Sequence, residues 1–215
     1  MKFVEYPDRA QLMGDLASQL VKELDETLKT QDRASLAVPG GSTPGPAFDA
    51  LCEADIDWSR VDILVGDERR VPADHERSNE RMIRARLLVS KAAAANYVSI
   101  RPDGETVPDI AAYLPISVLV VGMGADMHTA SLFPGSPDLE AALAPDAADL
   151  MLVEASDGLE PRVTLTGHVL AAAQNAHVLI TGAEKREALE QAVNATRMEA
   201  PIQTVLPNAT VHWAL

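Results

Sequence analysis

Four short apolar runs, each cut off by a glycine-bearing turn, constrain this chain more than any other feature. Residues 35–38 run into PGGSTPG, Val61–Val65 into GDERR, Val118–Val121 into GMG, and residues 177–181 into Gly182. Runs of this length, rich in β-branched residues, fit strands buried on both faces of a parallel sheet. Helical patterns lie between them. Leu12, Leu16, Leu20, Leu24 and Leu28 recur every four residues, widened by Ala17 and Val21, which predicts an amphipathic helix from an Asp8 N-cap to near Thr30. Its other face, with Lys22, Glu23, Asp25, Glu26 and Lys29, reads as solvated. Residues 80–88, a segment from about Gly167, and AEKREALEQAVN, with its stripe at Ala188, Leu189, Ala192 and Val193, read as further helices. Residues 3–4, 97–100, 151–153 and 210–213 read as shorter strands. Strands alternating with helices predict an α/β fold with a doubly wound, mainly parallel sheet. No repeat, low-complexity tract or linker divides the chain, so residues 1–215 read as a single domain.

The charge balance narrows the function classes. A formal net charge of -14 argues against nucleic-acid binding, which needs a basic footprint. It also repels anions at long range, so any anion site must be locally basic. Cys52 is the only cysteine, which excludes an intramolecular disulfide and suits a reducing cytoplasm. The N-terminal MKFVEYPDRA lacks the apolar centre of a signal peptide, and no apolar run reaches membrane-spanning length. A cytoplasmic protein without membrane or nucleic-acid partners is expected.

In open α/β sheets ligands bind beyond the carboxyl ends of the strands, so the chemistry is sought in the turns that follow the apolar runs. After Val121, Gly122-Met123-Gly124 allows a tight turn, with Asp126 and His128 immediately beyond. The turn is not a dinucleotide fingerprint, because Met127 stands where the third glycine would fall. Ser131 lacks a G-x-S-x-G elbow and reads as a packing or helix-terminal serine. After Val38, Gly40 and Gly41 turn the backbone. Free amides of Gly41, Ser42 and Thr43, before a helix with Thr43 as N-cap and Pro44 as first residue, form a candidate phosphate cradle. It is not a Walker loop, since the G-K-[ST] ending is missing. After Val65, Asp67, Glu68, Arg69 and Arg70 read as a solvated charged loop with at least one side chain facing the ligand. No cysteine or histidine cluster has metal-ligand spacing, so chemistry without metal or other cofactor is expected.

PGGSTP, DERRVPADHERSN, GMGADMHTASLFPG, RVTLT and the G-x-x-K of TGAEKREAL occur in an order and at spacings that resemble the 6-phosphogluconolactonase family over nearly the whole chain. The resemblance implies a Rossmann-like three-layer α/β/α sandwich. It also implies hydrolysis of 6-phospho-D-glucono-1,5-lactone to 6-phosphogluconate, the second step of the oxidative pentose phosphate pathway. Lactone opening needs a base for water, a donor for the oxyanion and an acid for the departing ring oxygen. His128 can serve as base and then acid. Asp126 can orient it or hold the water, and spacing leaves both open. Gly40, Gly41, Ser42, Thr43, Asp67, Arg69 and Lys185 are implied as the substrate and phosphate site, with Arg162 as a further cation. The family usually reads D-G-H where this chain has Asp126-Met127-His128. The expectation is that this turn takes a negative φ, with the Met127 side chain over the pocket rim. A related deaminase acting on glucosamine 6-phosphate resembles H-I-A-F-N-E-P after its histidine. Here residues 128–134 read HTASLFP and lack the acid. A sugar-phosphate sensor of the same fold would normally carry a DNA-binding domain, for which this chain has neither segment nor basic patch.

Overall fold

The apolar runs pair side by side as one sheet. The computed structural model describes residues 1–155 and 159–215. In chain order the elements are β1 (Lys2–Glu5), α1 (Arg9–Leu28), β2 (Ala34–Val38), α2 (Gly45–Leu51), β3 (Val61–Val65), β4 (Asp67–Arg69), α3 (Asn79–Arg86) and β5 (Asn96–Tyr97). There follow β6 (Val118–Val121), α4 (Leu139–Leu143), β7 (Leu150–Val153), β8 (Arg162–Leu165), α5 (Gly167–Ala171), β9 (Asn175–Thr181), α6 (Ala183–Ala192) and β10 (Ala209–Ala214). Seven strands form a wholly parallel sheet in the order β1-β10-β9-β6-β2-β3-β5. Every residue of β2, β3 and β6 is buried, so both sheet faces are covered, as the three-layer expectation requires.

Helix α1 lies against β2, β6 and β10 with α2 beside it. Asp8 caps it by accepting the Gln11 amide at 2.8 Å. Its five spaced leucines and Ala17 are buried, and burying a leucine is worth about 1.5–3 kcal/mol. One residue departs from the expected solvated face. Glu23 is buried and its carboxylate meets His177 of β9 at 2.7 Å, because a polar partner waits on the sheet beneath it. At α2, Thr43 makes no cap. The Gly45 amide closes a turn onto the Ser42 carbonyl at 3.3 Å, which leaves Pro44 in the cap position and Gly45 as the first helical residue. The strand expected over residues 97–100 is shorter and earlier, at Asn96–Tyr97. The final strand is internal, paired on both sides by β1 and β9.

The order of strands fixes where a ligand can sit. From β2 the chain winds outward through β3 to β5. It then returns to lay β6 on the other side of β2, and continues outward through β9 and β10. The direction reverses between β2 and β6, and the crevice at such a switch point is the expected site. The charged run after β3 is not a solvated loop. Asp67–Arg69 is strand β4, paired antiparallel with β8, which pairs with β7 in a second, three-stranded sheet.

Candidate active site

The turn after β6 holds the imidazole. His128 Nδ1 lies 2.6 Å from Asp126 Oδ1, and the same carboxylate oxygen accepts the His128 amide at 3.3 Å. The Gly124 amide donates to the His128 carbonyl at 2.9 Å and closes the turn. A side chain on Gly124 would run into the His128 ring and the Asp126 carboxylate, so glycine is required for this close approach. The Phe133 ring lies 4.9 Å from the imidazole, centroid to centroid, and supports it from one side. With Nδ1 engaged, Nε2 is the nitrogen available to the cleft that His128 lines. Partial burial pushes the Asp126 carboxyl up. The charge of His128 and hydrogen bonds from its ring and amide outweigh this, so the pKa falls below the ordinary carboxylate value.

The cations come from the small sheet. Arg69 on β4 stands directly opposite Arg162 on β8. Like charges in that position oppose pairing. Burial first, and Arg69 second, pull the Arg162 guanidinium below its ordinary value. Arg162 is held through Nε by the Glu160 carbonyl at 3.0 Å, and Arg69 through Nη1 by the Arg77 carbonyl at 2.5 Å. Immediately before Arg69, Glu68 is buried and anchors the following segment. Its carboxylate accepts the amides of Asn79 and Glu80 at 2.9 and 2.8 Å at the positive end of α3. Asp67 is oriented by the Ser131 hydroxyl, which donates to it at 2.5 Å. Ser131 is therefore a packing serine with a partner, and it does not end a helix.

One cleft of about 510 Å³ gathers these groups. Its walls include Gly40, Gly41 and Thr43 after β2, Asp67 and Arg69 on β4, His128 after β6, Arg162 on β8 and Lys185 in the first turn of α6. Two expected residues stand apart from the lining. Asp126 lies behind His128, and Ser42 turns to an adjoining pocket beside Arg9 and Thr181. The model for glucosamine-6-phosphate isomerases/6-phosphogluconolactonase matches residues 7–213. The 6-phosphogluconolactonase of Rhizobium meliloti is 37% identical over 214 residues, covering 93% of this chain and 92% of the relative. That of Mesorhizobium japonicum is 38% identical, covering 97% and 93%. The crystal structure of a 6-phosphogluconolactonase from Shewanella baltica superposes with a TM-score of 0.92 at 31% identity, covering 100% of this chain and 98% of that one.

The chain belongs to the glucosamine-6-phosphate isomerase/6-phosphogluconolactonase family. Where the family usually has glycine, the turn has not relaxed. Met127 takes φ 68°, and its side chain packs against the hydrophobic core instead of lying over the cleft. Its backbone is held at both ends, by its amide on the Gly124 carbonyl (3.0 Å) and by the Ile202 amide on its own carbonyl (3.2 Å). Among the cleft residues that escaped the sequence reading are Arg77, Asn79 and Phe133. The first two belong to the DERRVPADHERSN stretch, but nothing in their spacing says that the chain returns to the strand end. The signal that could have found them is Ser78, which caps α3 and places Asn79 at the helix start, with the Asn79 side-chain Nδ2 donating to the Asp67 carbonyl at 2.7 Å. Among the described residues, no three His, Cys, Asp or Glu side chains converge as a metal site would need. No helix of the described residues is long and apolar enough to cross a membrane.

Proposed function

We propose that this chain hydrolyses 6-phospho-D-glucono-1,5-lactone to 6-phosphogluconate, as a cytoplasmic enzyme of the oxidative pentose phosphate pathway. The single observation that carries the reading is the Asp126–His128 pair set in a cleft with three arginines and a lysine. The pair supports a division of labour that spacing alone left open. An ionised Asp126 on Nδ1 fixes the tautomer in which Nδ1 carries the proton and Nε2 is free to accept one. His128 Nε2 then takes a proton from water as the oxygen attacks the lactone carbonyl carbon. Asp126 stabilises the imidazolium, and the same Nε2–H is returned to the ring oxygen as its bond to the carbonyl carbon breaks. One water is consumed, and the product carboxylic acid ionises. The phosphate lies against Arg69, Arg162, Lys185 and the amides of residues 41–43, and Asp67 offers a carboxylate to the sugar hydroxyls. The deaminase alternative finds no support, since the acid following the histidine is absent.

The test is direct. The lactone is generated in situ and proton release is followed with and without the protein, after subtraction of the spontaneous rate. Acceleration that survives a chelator is expected. None from folded protein, or acceleration abolished by the chelator, overturns the reading or its metal-free mechanism respectively.

A further inference from the structure

The arginines of the cleft already hold a carboxylate. Arg77 Nη2 meets Glu160 Oε2 at 3.0 Å, in a pair whose side chains are 40% and 26% exposed. Glu160 also contributes its backbone carbonyl to Arg162, and Arg77 contributes its own to Arg69. The four residues thus form one cluster of three guanidinium groups and one carboxylate at the cleft wall. The Nε of Arg69 within it is buried and has no partner among the described residues, and Arg77 and Glu160 Oε2 meet as an ion pair without hydrogen-bond geometry. The Glu160 carboxyl sits below the ordinary range, held first by a hydrogen bond to its own backbone and also by Arg77, Arg162 and Arg69. Arg77 lines the cleft, whereas Glu160 approaches from outside its lining.

We infer that Glu160 is an internal counter-anion, which occupies Arg77 while the cleft is empty and yields it to the anionic group of the substrate. This rests on the proposed lactonase reading for the identity of the substrate, though not for the existence of the anion site. Three guanidinium groups close together repel one another, and one carboxylate relieves that repulsion. A phosphate dianion can relieve it more fully. When the dianion arrives, the Arg77–Glu160 pair is exchanged for an Arg77–phosphate pair, and charge-assisted contacts of the planar guanidinium with phosphate are strong. The exchange subtracts the pair's own strength from the affinity, so Glu160 weakens binding without touching the reacting atoms. Its partial exposure keeps the pair weak enough to break.

The experiment measures inorganic phosphate affinity by calorimetry, with kcat and KM alongside, for the unaltered protein, Glu160→Gln, Arg77→Ala and the double variant. Glutamine keeps the shape of Glu160 and can still accept from Arg77, so folding is retained. Glu160→Asp, which keeps the charge, serves as a second check. Glu160→Gln should tighten phosphate binding by about two- to fivefold, the range of a partly exposed ion pair, and lower KM equally with kcat unchanged. In the Arg77→Ala background the same change should tighten binding clearly less, because only the influence of Glu160 on Arg162 and Arg69 remains. Equal tightening in both backgrounds would show only the removal of a distant negative charge. Weaker phosphate binding by Glu160→Gln would show that Glu160 positions Arg77 for substrate. Either result overturns the inference. If the unaltered protein binds phosphate but leaves the lactone untouched, the lactonase reading fails, and the phosphate series still decides the role of Glu160.

Discussion

His128 is useful only if the proton sits on the correct nitrogen, and that is decided by Asp126 at 2.6 Å. An amide in place of that carboxylate can donate to Nδ1 and drive the ring proton to Nε2, where it blocks the water. Asp126→Asn should therefore lower kcat about as far as His128→Ala does, roughly 10²–10⁴-fold, while 6-phosphogluconate still binds. Pre-steady-state and binding measurements on both variants check this, and a fully active Asp126→Asn chain would leave Asp126 merely structural. Met127 poses the neighbouring question, since a side chain at φ 68° costs about 1–2 kcal/mol that glycine avoids. Because its side chain packs on the core and not over the cleft, Met127→Gly should change kcat/KM less than about tenfold, or roughly 1.4 kcal/mol. Met127→Ala loses the same packing and keeps the strained backbone, so it should unfold about 1 kcal/mol more easily than Met127→Gly. Denaturant midpoints give the comparison. Equal stabilities would mean that the turn relaxes on substitution, and a hundredfold gain in activity would mean that Met127 obstructs the site.

At the level of elements, the β4–β8 pair places Arg69 opposite Arg162 and accepts their repulsion. That arrangement is intelligible if an anion binds there. Arg69→Ala should raise KM for the phosphorylated lactone by about tenfold or more, the effect of losing one charge-assisted contact of roughly 1.5–3 kcal/mol. An unphosphorylated lactone should be little affected, and equal losses on both substrates would place Arg69 away from the phosphate. The same pair shows where sequence reading stops. β2, β3, β6 and β9 were legible because each is an apolar run ended by a turn. Helix α1 was legible because five leucines share one face. Residues 67–69 read as a solvated charged loop because their partners lie about a hundred positions away, and a charge run carries no mark of a distant antiparallel strand. Arg77 stayed hidden for the same reason, as did the core side of Glu23, whose partner His177 is on β9. Motif order found the cleft, and only pairing across the fold showed which side chains share a wall.

The whole molecule is tied together by a buried polar chain that runs from α1 across the sheet to the first loop. Gln19 donates to Glu23 Oε1 at 2.6 Å, and Glu23 Oε2 meets His177 Nε2 at 2.7 Å. His177 Nδ1 meets His212 Nε2 at 3.0 Å, and His212 Nδ1 meets the Tyr6 hydroxyl at 2.8 Å. An ionised carboxylate can only accept, so His177 donates from Nε2 and accepts at Nδ1. With His177 accepting at Nδ1, His212 donates from Nε2 and accepts the Tyr6 proton at Nδ1. Burial, and next the proximity of His177, push His212 down to about 4 from an ordinary value of 6.5, against the opposing pull of Glu23. Between those two pH values the unfolded chain binds a proton at this position that the folded chain refuses, so stability rises with pH across the window. The contribution is fully present above pH 6.5 and is lost as the pH falls towards 4. Over the upper part of that window, from about pH 7 to 5, the loss should be on the order of 2 kcal/mol. Glu23 and Asp62, both lowered by their partners, lose their own contributions at pH values below this range, so they do not account for it. Urea midpoints at the two pH values measure the loss in the unaltered chain and in His212→Gln, whose amide can still accept from Tyr6 and donate to His177. The slope should vanish in the variant even if its stability at pH 7 is lower. A flat profile in the unaltered chain, or an undiminished slope in His212→Gln, would remove His212 as the group through which acid unfolds the protein.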